Sequence, residues 1–116
     1  MSTCDHLPVY KTTYDLFLEI FKLTRNFSRE YKFTIGQRLK DETLDLMTNI
    51  FRANVAQRKN RTIQKARENI EIIRLLIRAL KDLKEINLKK FVRINVYIES
   101  VSKQLTGWQK NNSLKN

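Results

Sequence analysis

Along the last third of the chain, apolar residues recur at alternating spacings of three and four: Phe91, Ile94, Ile98, Val101, Leu105 and Trp108. That period places all six on one side of an α-helix. Upstream the same period occurs doubled. The first segment has Tyr10, Tyr14, Phe17 and Phe21 on one stripe and Leu16, Ile20, Leu23 and Phe27 on another. The second has Leu39, Leu46, Ile50 and Ala53 beside Leu44, Met47, Phe51 and Val55, and the third has Ala66, Ile70, Ile73, Ile77 and Leu80 beside Ile72, Leu76, Ala79 and Leu83. Two adjacent seams are wider than the stripe, a little over about 100°, that a small bundle buries. Either neighbouring helices of one bundle use both seams, or part of this surface faces another chain. Aliphatic patches of several hundred Å² are uncommon on monomers, which favours a homo-oligomer.

Breakers confirm the helical reading. The seventy residues from Gln37 to Thr106 contain neither glycine nor proline, and no Asn-Gly or Asp-Gly turn or sustained two-residue alternation marks a strand. Polar interruptions leave four pieces, roughly 9–27, 35–57, 62–84 and 88–109, each about 30 Å long as a helix. The expected fold is therefore all-α, an antiparallel four-helix bundle in one domain over 1–116. Thr34 and Gln37 have capping-box spacing, Asn60 and Thr62 can start the third helix, and Asn87 can cap the fourth with Ile86 and Phe91 as a hydrophobic staple. Pro8, Thr12 and Thr13 offer competing starts for the first, and Asn111 to Asn116 is expected to fray.

Composition adds one demand and removes several chemistries. Lys and Arg number 23 against 12 acids, a net charge of +11 that costs stability by self-repulsion and calls for an anionic partner. By segment the net charge is +1 for 1–35, +3 for 36–61, +2 for 62–85 and +5 for 86–116. On a helical wheel Lys89, Arg93, Lys103 and Lys110 fall within about 100° of one another, opposite the apolar seam. Ser100 and Gly107 fill gaps in that stripe, Glu99 lies at its margin and Lys90 at its edge. Arg67, Arg74, Arg78 and Lys81 form a second stripe, with Glu71, Asp82 and Glu85 close enough to satisfy many of them locally. The turn residues Arg58, Lys59 and Arg61 have no acid among them and can extend a basic surface. Such contacts grip phosphates without reading bases, and no helix-turn-helix spacing or zinc ligand set is present.

With one histidine, one cysteine and no glycine-rich loop, the chain lacks the usual catalytic constellations, and an enzyme is not expected. Nor is a metal, cofactor or small-molecule substrate. Asp41, Glu42 and Asp45 fit the N-terminal end of a helix better than a metal site. Cys4 has no disulfide partner and His6 no ligand partner, and no apolar run exceeds three residues. A cytoplasmic protein without a membrane role is the expectation.

Several strings resemble the accessory variability determinants of diversity-generating retroelements, four-helix-bundle proteins related to those of ribosomal-RNA intervening sequences. They are Lys11-Thr12-Thr13-Tyr14-Asp15-Leu16, Phe27-Ser28-Arg29, Lys32-Phe33-Thr34-Ile35-Gly36, Leu44-Asp45-Leu46, Ala53-Asn54, the run from Ile73 to Leu83, and Gln104-Leu105-Thr106-Gly107-Trp108. Ser28 stands where the family usually has proline, and Thr106 where it usually has glycine. The resemblance implies a basic bundle that forms a homopentameric ring, with the wide seams of the first and third helices as ring contacts. It also implies binding to nucleic acid, template RNA or its cDNA, and partnership with a reverse transcriptase in mutagenic cDNA synthesis. The family's basic character falls on Arg74, Arg78 and Lys81; Arg58, Lys59, Arg61, Lys89, Arg93, Lys103 and Lys110 come from charge placement alone. The alternative is an adaptor whose charge serves an acidic protein partner.

Overall fold

The computed structural model describes residues 7–115, with side chains to Ser113, so Cys4 and His6 lie outside the described residues. The described chain is all-helical: α1 (Pro8–Thr24), a single turn α2 (Arg29–Lys32), α3 (Ile35–Val55), α4 (Asn60–Asp82) and α5 (Leu88–Lys115). The four long helices run alternately up and down in a bundle of 46 × 24 × 21 Å, each packed on its neighbours in the cyclic order α1, α3, α4, α5. Opposite chain direction is visible in the cross-helix pairs. Thr12 meets Gln104 and Glu19 meets Arg93 between α1 and α5, while Arg67 meets Gln109 and Arg74 meets Glu99 between α4 and α5.

One seam of each helix makes the core. Leu16, Ile20 and Leu23 face Leu39, Leu46 and Ile50, then Ala66, Ile70, Ile73, Ile77 and Leu80, then Ile94, Ile98, Val101 and Leu105, all buried. The other seams stay outside. Leu44, Phe51, Val55 and Leu83 are exposed, Phe17, Phe21, Met47, Ile72 and Leu76 only half-buried. Within this chain, then, neighbouring helices do not consume both seams.

The helix ends follow local chemistry, with differences from the spacing rules. Pro8 opens α1 at a position whose N–H would be free anyway. At the first break, residues 29–32 wind into α2, so the Thr34 hydroxyl donates back to the Glu30 carbonyl (2.9 Å) and Gln37 reaches Asp41 instead of closing a capping box. Gly36 is buried against this turn: a Cβ there would lie 2.9 Å from the Tyr31 carbonyl oxygen and 3.0 Å from the Phe27 ring. Ser28 donates both its backbone N–H and its hydroxyl to the Glu85 carboxylate, so the proline common at this place would lose the first of those bonds. α4 ends with Lys84 in the left-handed region (φ 63°) and the Glu85 N–H returning to the Leu80 carbonyl, a Schellman-type stop. Asn87 caps α5, its Oδ1 accepting the Lys90 N–H at 2.8 Å. Asn60 does not cap α4; its amide donates to Ser113 and its Oδ1 accepts from Asn112. Those bonds hold the end of α5 in helix to Lys115, where the polar tail by itself reads as frayed.

Candidate nucleic-acid interface

The ten cations singled out from the sequence fall into three groups once folded. Four meet acids. Arg74 bridges Glu71 (2.6 Å) and Glu99 (2.8 Å), and Arg78 and Lys81 approach Asp82 at 3.8 and 3.9 Å, with Lys81 also 4.8 Å above the Phe91 ring. Arg93 donates from Nε to Glu19 at 2.9 Å and from a terminal nitrogen at 3.3 Å, and this hydrogen bonding raises its pKa above the ordinary arginine value. Lys59 forms the second group alone. Its Nζ donates to the carbonyls of Ala53, Asn54 and Ala56 at 2.9–3.0 Å, stopping the C-terminal end of α3 as a cation on the negative end of the helix dipole. The remaining five, Arg58, Arg61, Lys89, Lys103 and Lys110, are exposed and make no ion pair among the described residues.

These five do not lie on one unbroken stripe. Between Lys89 and Lys103 the outward side of α5 carries Val92 (53% exposed) and Val96 (64%), two aliphatic residues that divide the expected basic face. Lys103 and Lys110 lie beyond them, towards the end of the bundle that holds the α3–α4 turn. Asn60 and its bonds to Gln109, Asn112 and Ser113 tie that turn to the last two turns of α5.

Along the two chain intervals that meet at this end, cations accumulate without acids. From Leu46 to Arg67 the chain carries Arg52, Arg58, Lys59, Arg61, Lys65 and Arg67 and no carboxylate, and from Ser100 to Ser113 it carries Lys103 and Lys110 and none. Arg67 donates to the Gln109 amide oxygen and not to an acid. An open cavity here is lined by Gln57, Arg58, Lys59, Asn60, Arg61 and Thr62. It borders the first turn of α4, whose free backbone N–H groups have no side-chain cap. Arg52 and Lys65 escape a reading made helix by helix, and Arg67 there belongs only to the stripe of α4. The long acid-free interval was the available signal.

Elsewhere the polar groups serve the fold. Glu42, 6% exposed, accepts from Arg38 (3.1 Å) and from the Asn69 amide (2.6 Å), and Asn69 in turn accepts from Asn49 (2.7 Å). This relay ties α3 to α4 and accounts for one of the carboxylates in the Asp41, Glu42 and Asp45 group. Among the described residues no group of three or more His, Cys, Asp or Glu is placed to hold a metal, and no helix is long and apolar enough to cross a membrane.

A family model described as bAvd-like matches residues 8–112, nearly the whole chain. The protein belongs to the bAvd-like family. The resemblance carried by the strings from Lys11 to Trp108 is thereby established, and with it the coarse assignment to the accessory proteins of diversity-generating retroelements. A search of curated proteins found no match. This chain has the four long helices and the basic excess expected from the resemblance, with Glu85 accepting from the N–H that Ser28 has in place of proline. Thr106, where glycine is usual, is an exposed helical residue whose hydroxyl donates to the Ser102 carbonyl at 2.9 Å.

Proposed function

We propose that this bAvd-like protein is a non-catalytic accessory subunit that binds nucleic acid and a reverse transcriptase, supporting template-RNA-dependent mutagenic cDNA synthesis in a diversity-generating retroelement. The observation that carries the nucleic-acid part is the pair of acid-free intervals, 46–67 and 100–113, that meet at one end of the bundle. There Arg58, Arg61, Lys65 and Lys110 are exposed, without ion-pair partners among the described residues, beside the uncapped start of α4. A phosphate chain crossing this end replaces mutual repulsion of cations by attraction, and gains backbone N–H donors as well. The preferred surface thus moves from the length of α5 to one end of the bundle, with Lys103 at its border.

The unburied seams support a homo-oligomer. Phe21 meets Lys40 of α3, and Tyr10, Tyr14 and Phe17 share its side of α1; Leu44, Met47, Phe51 and Val55 share the Lys40 side of α3. These two outer seams flank one groove. The Ile72, Leu76, Ala79 and Leu83 seam lies on the side of α4 that carries Asn69 towards α3, a different side of the bundle. Two unlike patches on different sides pair head to tail, and such contacts generate rings when the rotation closes. A pentamer is the size the family resemblance implies.

The test uses the full chain and a fluorescently labelled single-stranded RNA, read by anisotropy across a salt series. Arg58→Glu/Arg61→Glu/Lys110→Glu is expected to weaken binding at least tenfold and to flatten the log–log salt slope by about 2, the loss of three phosphate contacts at about 0.7 each. The equally charged control Arg25→Glu/Arg29→Glu/Lys32→Glu, at the other end, should change affinity less than threefold. Equal losses in both variants refute the proposed surface. Light scattering on the same sample addresses assembly: a mass equal to the single chain, 13.9 kDa, refutes it.

A further inference from the structure

We infer that the outward face of α5 is a docking rail for a helical segment of an acidic protein partner, seated on Leu88, Val92 and Val96. The inference deepens the accessory-subunit reading by giving the protein partner a chemistry, and it uses a surface separate from the phosphate-binding end.

Three observations meet on this face. Leu88, Val92 and Val96 are 67%, 53% and 64% exposed and follow one another at one helical turn. They lie between the side of α5 that meets α1, through Arg93 and Gln104, and the side that meets α4, through Phe91 and Glu99. Neither neighbouring helix can cover them. Alongside the ladder stands Lys89, with Lys103 on the same face beyond its end, both exposed and without an ion-pair partner among the described residues. The carboxylates nearest in the fold are already engaged: Glu19 by Arg93, Glu99 by Arg74, Glu85 by Ser28 and Asp82 by Arg78 and Lys81. An aliphatic ladder beside unanswered cations selects one kind of occupant, a helix with apolar residues one turn apart and carboxylates on its flanks.

The same observations discriminate against other occupants. A second copy of this chain carries +11 itself, so on net charge it is repelled from a face that presents Lys89 and Lys103. A phosphate chain would use the lysines but leave the valines in water, and it has the phosphate-binding end available. The exposed valines then explain why the basic stripe of α5 is interrupted: the interruption is the docking element.

The experiment uses the full-length protein and a labelled synthetic amphipathic helix of about three heptads, with leucine at the a and d positions and glutamate on both flanks, against a control with serine in place of leucine. Wild type should bind the leucine peptide at least tenfold more tightly than the serine peptide. Val92→Ser/Val96→Ser should lose most of that preference while keeping its helical circular dichroism and its RNA affinity. Lys89→Glu/Lys103→Glu should weaken binding of the glutamate-flanked peptide and gain binding of a lysine-flanked one. Equal affinity for the leucine and serine peptides, or an unchanged preference in the valine variant, overturns the inference. A valine variant that loses RNA and peptide together overturns it too, since the face would then belong to nucleic acid. Failure of wild type to bind RNA, with peptide selectivity intact, would sink only the phosphate surface.

Discussion

Lys59→Met separates a cation that serves the fold from one that serves a ligand. The substitution keeps the methylene stem and removes three hydrogen bonds to the carbonyls of Ala53, Asn54 and Ala56, together with the positive charge at the end of α3. Asn54 and Ala56 are half-exposed, so most of their lost bonding is replaced by hydration, whereas Ala53 is buried and its carbonyl is left without a partner at a cost of about 1 kcal/mol. What also does not return is the charge–dipole attraction, about 0.5–1 kcal/mol, and the surplus of charged over hydrated bonds, of similar size. A total of about 2.5 kcal/mol follows. With a urea slope of about 1.5 kcal/mol/M, the unfolding midpoint should fall by roughly 1.7 M when followed by circular dichroism. RNA affinity should fall less than threefold, because one charge of a net +11 is lost and no phosphate contact with it. Arg58→Met, one residue away and fully exposed, should do the reverse: an unmoved midpoint and a clear loss of RNA affinity. If Lys59→Met leaves the midpoint within about 0.2 M, or weakens RNA binding as much as Arg58→Met, the capping assignment is wrong.

Two further substitutions probe the backbone. Gly36→Ala should destabilise by about 1–3 kcal/mol, since its Cβ meets a carbonyl oxygen at 2.9 Å and the Phe27 ring at 3.0 Å, whereas Gly107→Ala, with nothing within 4 Å, should stabilise α5 by about 0.5–1 kcal/mol; opposite midpoint shifts in one denaturation series check both. Lys84→Gly should raise the midpoint by about 0.5–1 kcal/mol of stability by relieving the left-handed φ of 63°, and a lower midpoint would show that the lysine side chain itself holds the turn.

Much of this architecture was legible residue by residue. The seam from Phe91 to Trp108 is intact as a face of α5, and Asn87 caps that helix as its place before the apolar period implied. Thr34 stands at the N-cap of α3 and Asn60 at the first residue of α4, but neither side chain caps its helix. In both cases the competing partner, Glu30 in a turn of helix and Ser113 at the far end of the chain, is invisible to a local rule. A wheel that weighs charge and hydropathy separately shows the basic stripe on α5 and hides Val92 and Val96 within it.

The alternation of three and four, the absence of breakers and the surplus of lysine and arginine determine helix, bundle and basic character, because these depend on bonding within a turn and on counting charge. Which seam is buried, which arginine meets a carboxylate and which lysine caps a helix depend on the rotation and register of each helix against its neighbours. Packing decides those, through contacts between residues as far apart as Glu19 and Arg93. A charge therefore acquires its role only after folding. Arg93 and Lys59 became structural there, while Arg58 and Arg61 stayed exposed without an ion-pair partner among the described residues.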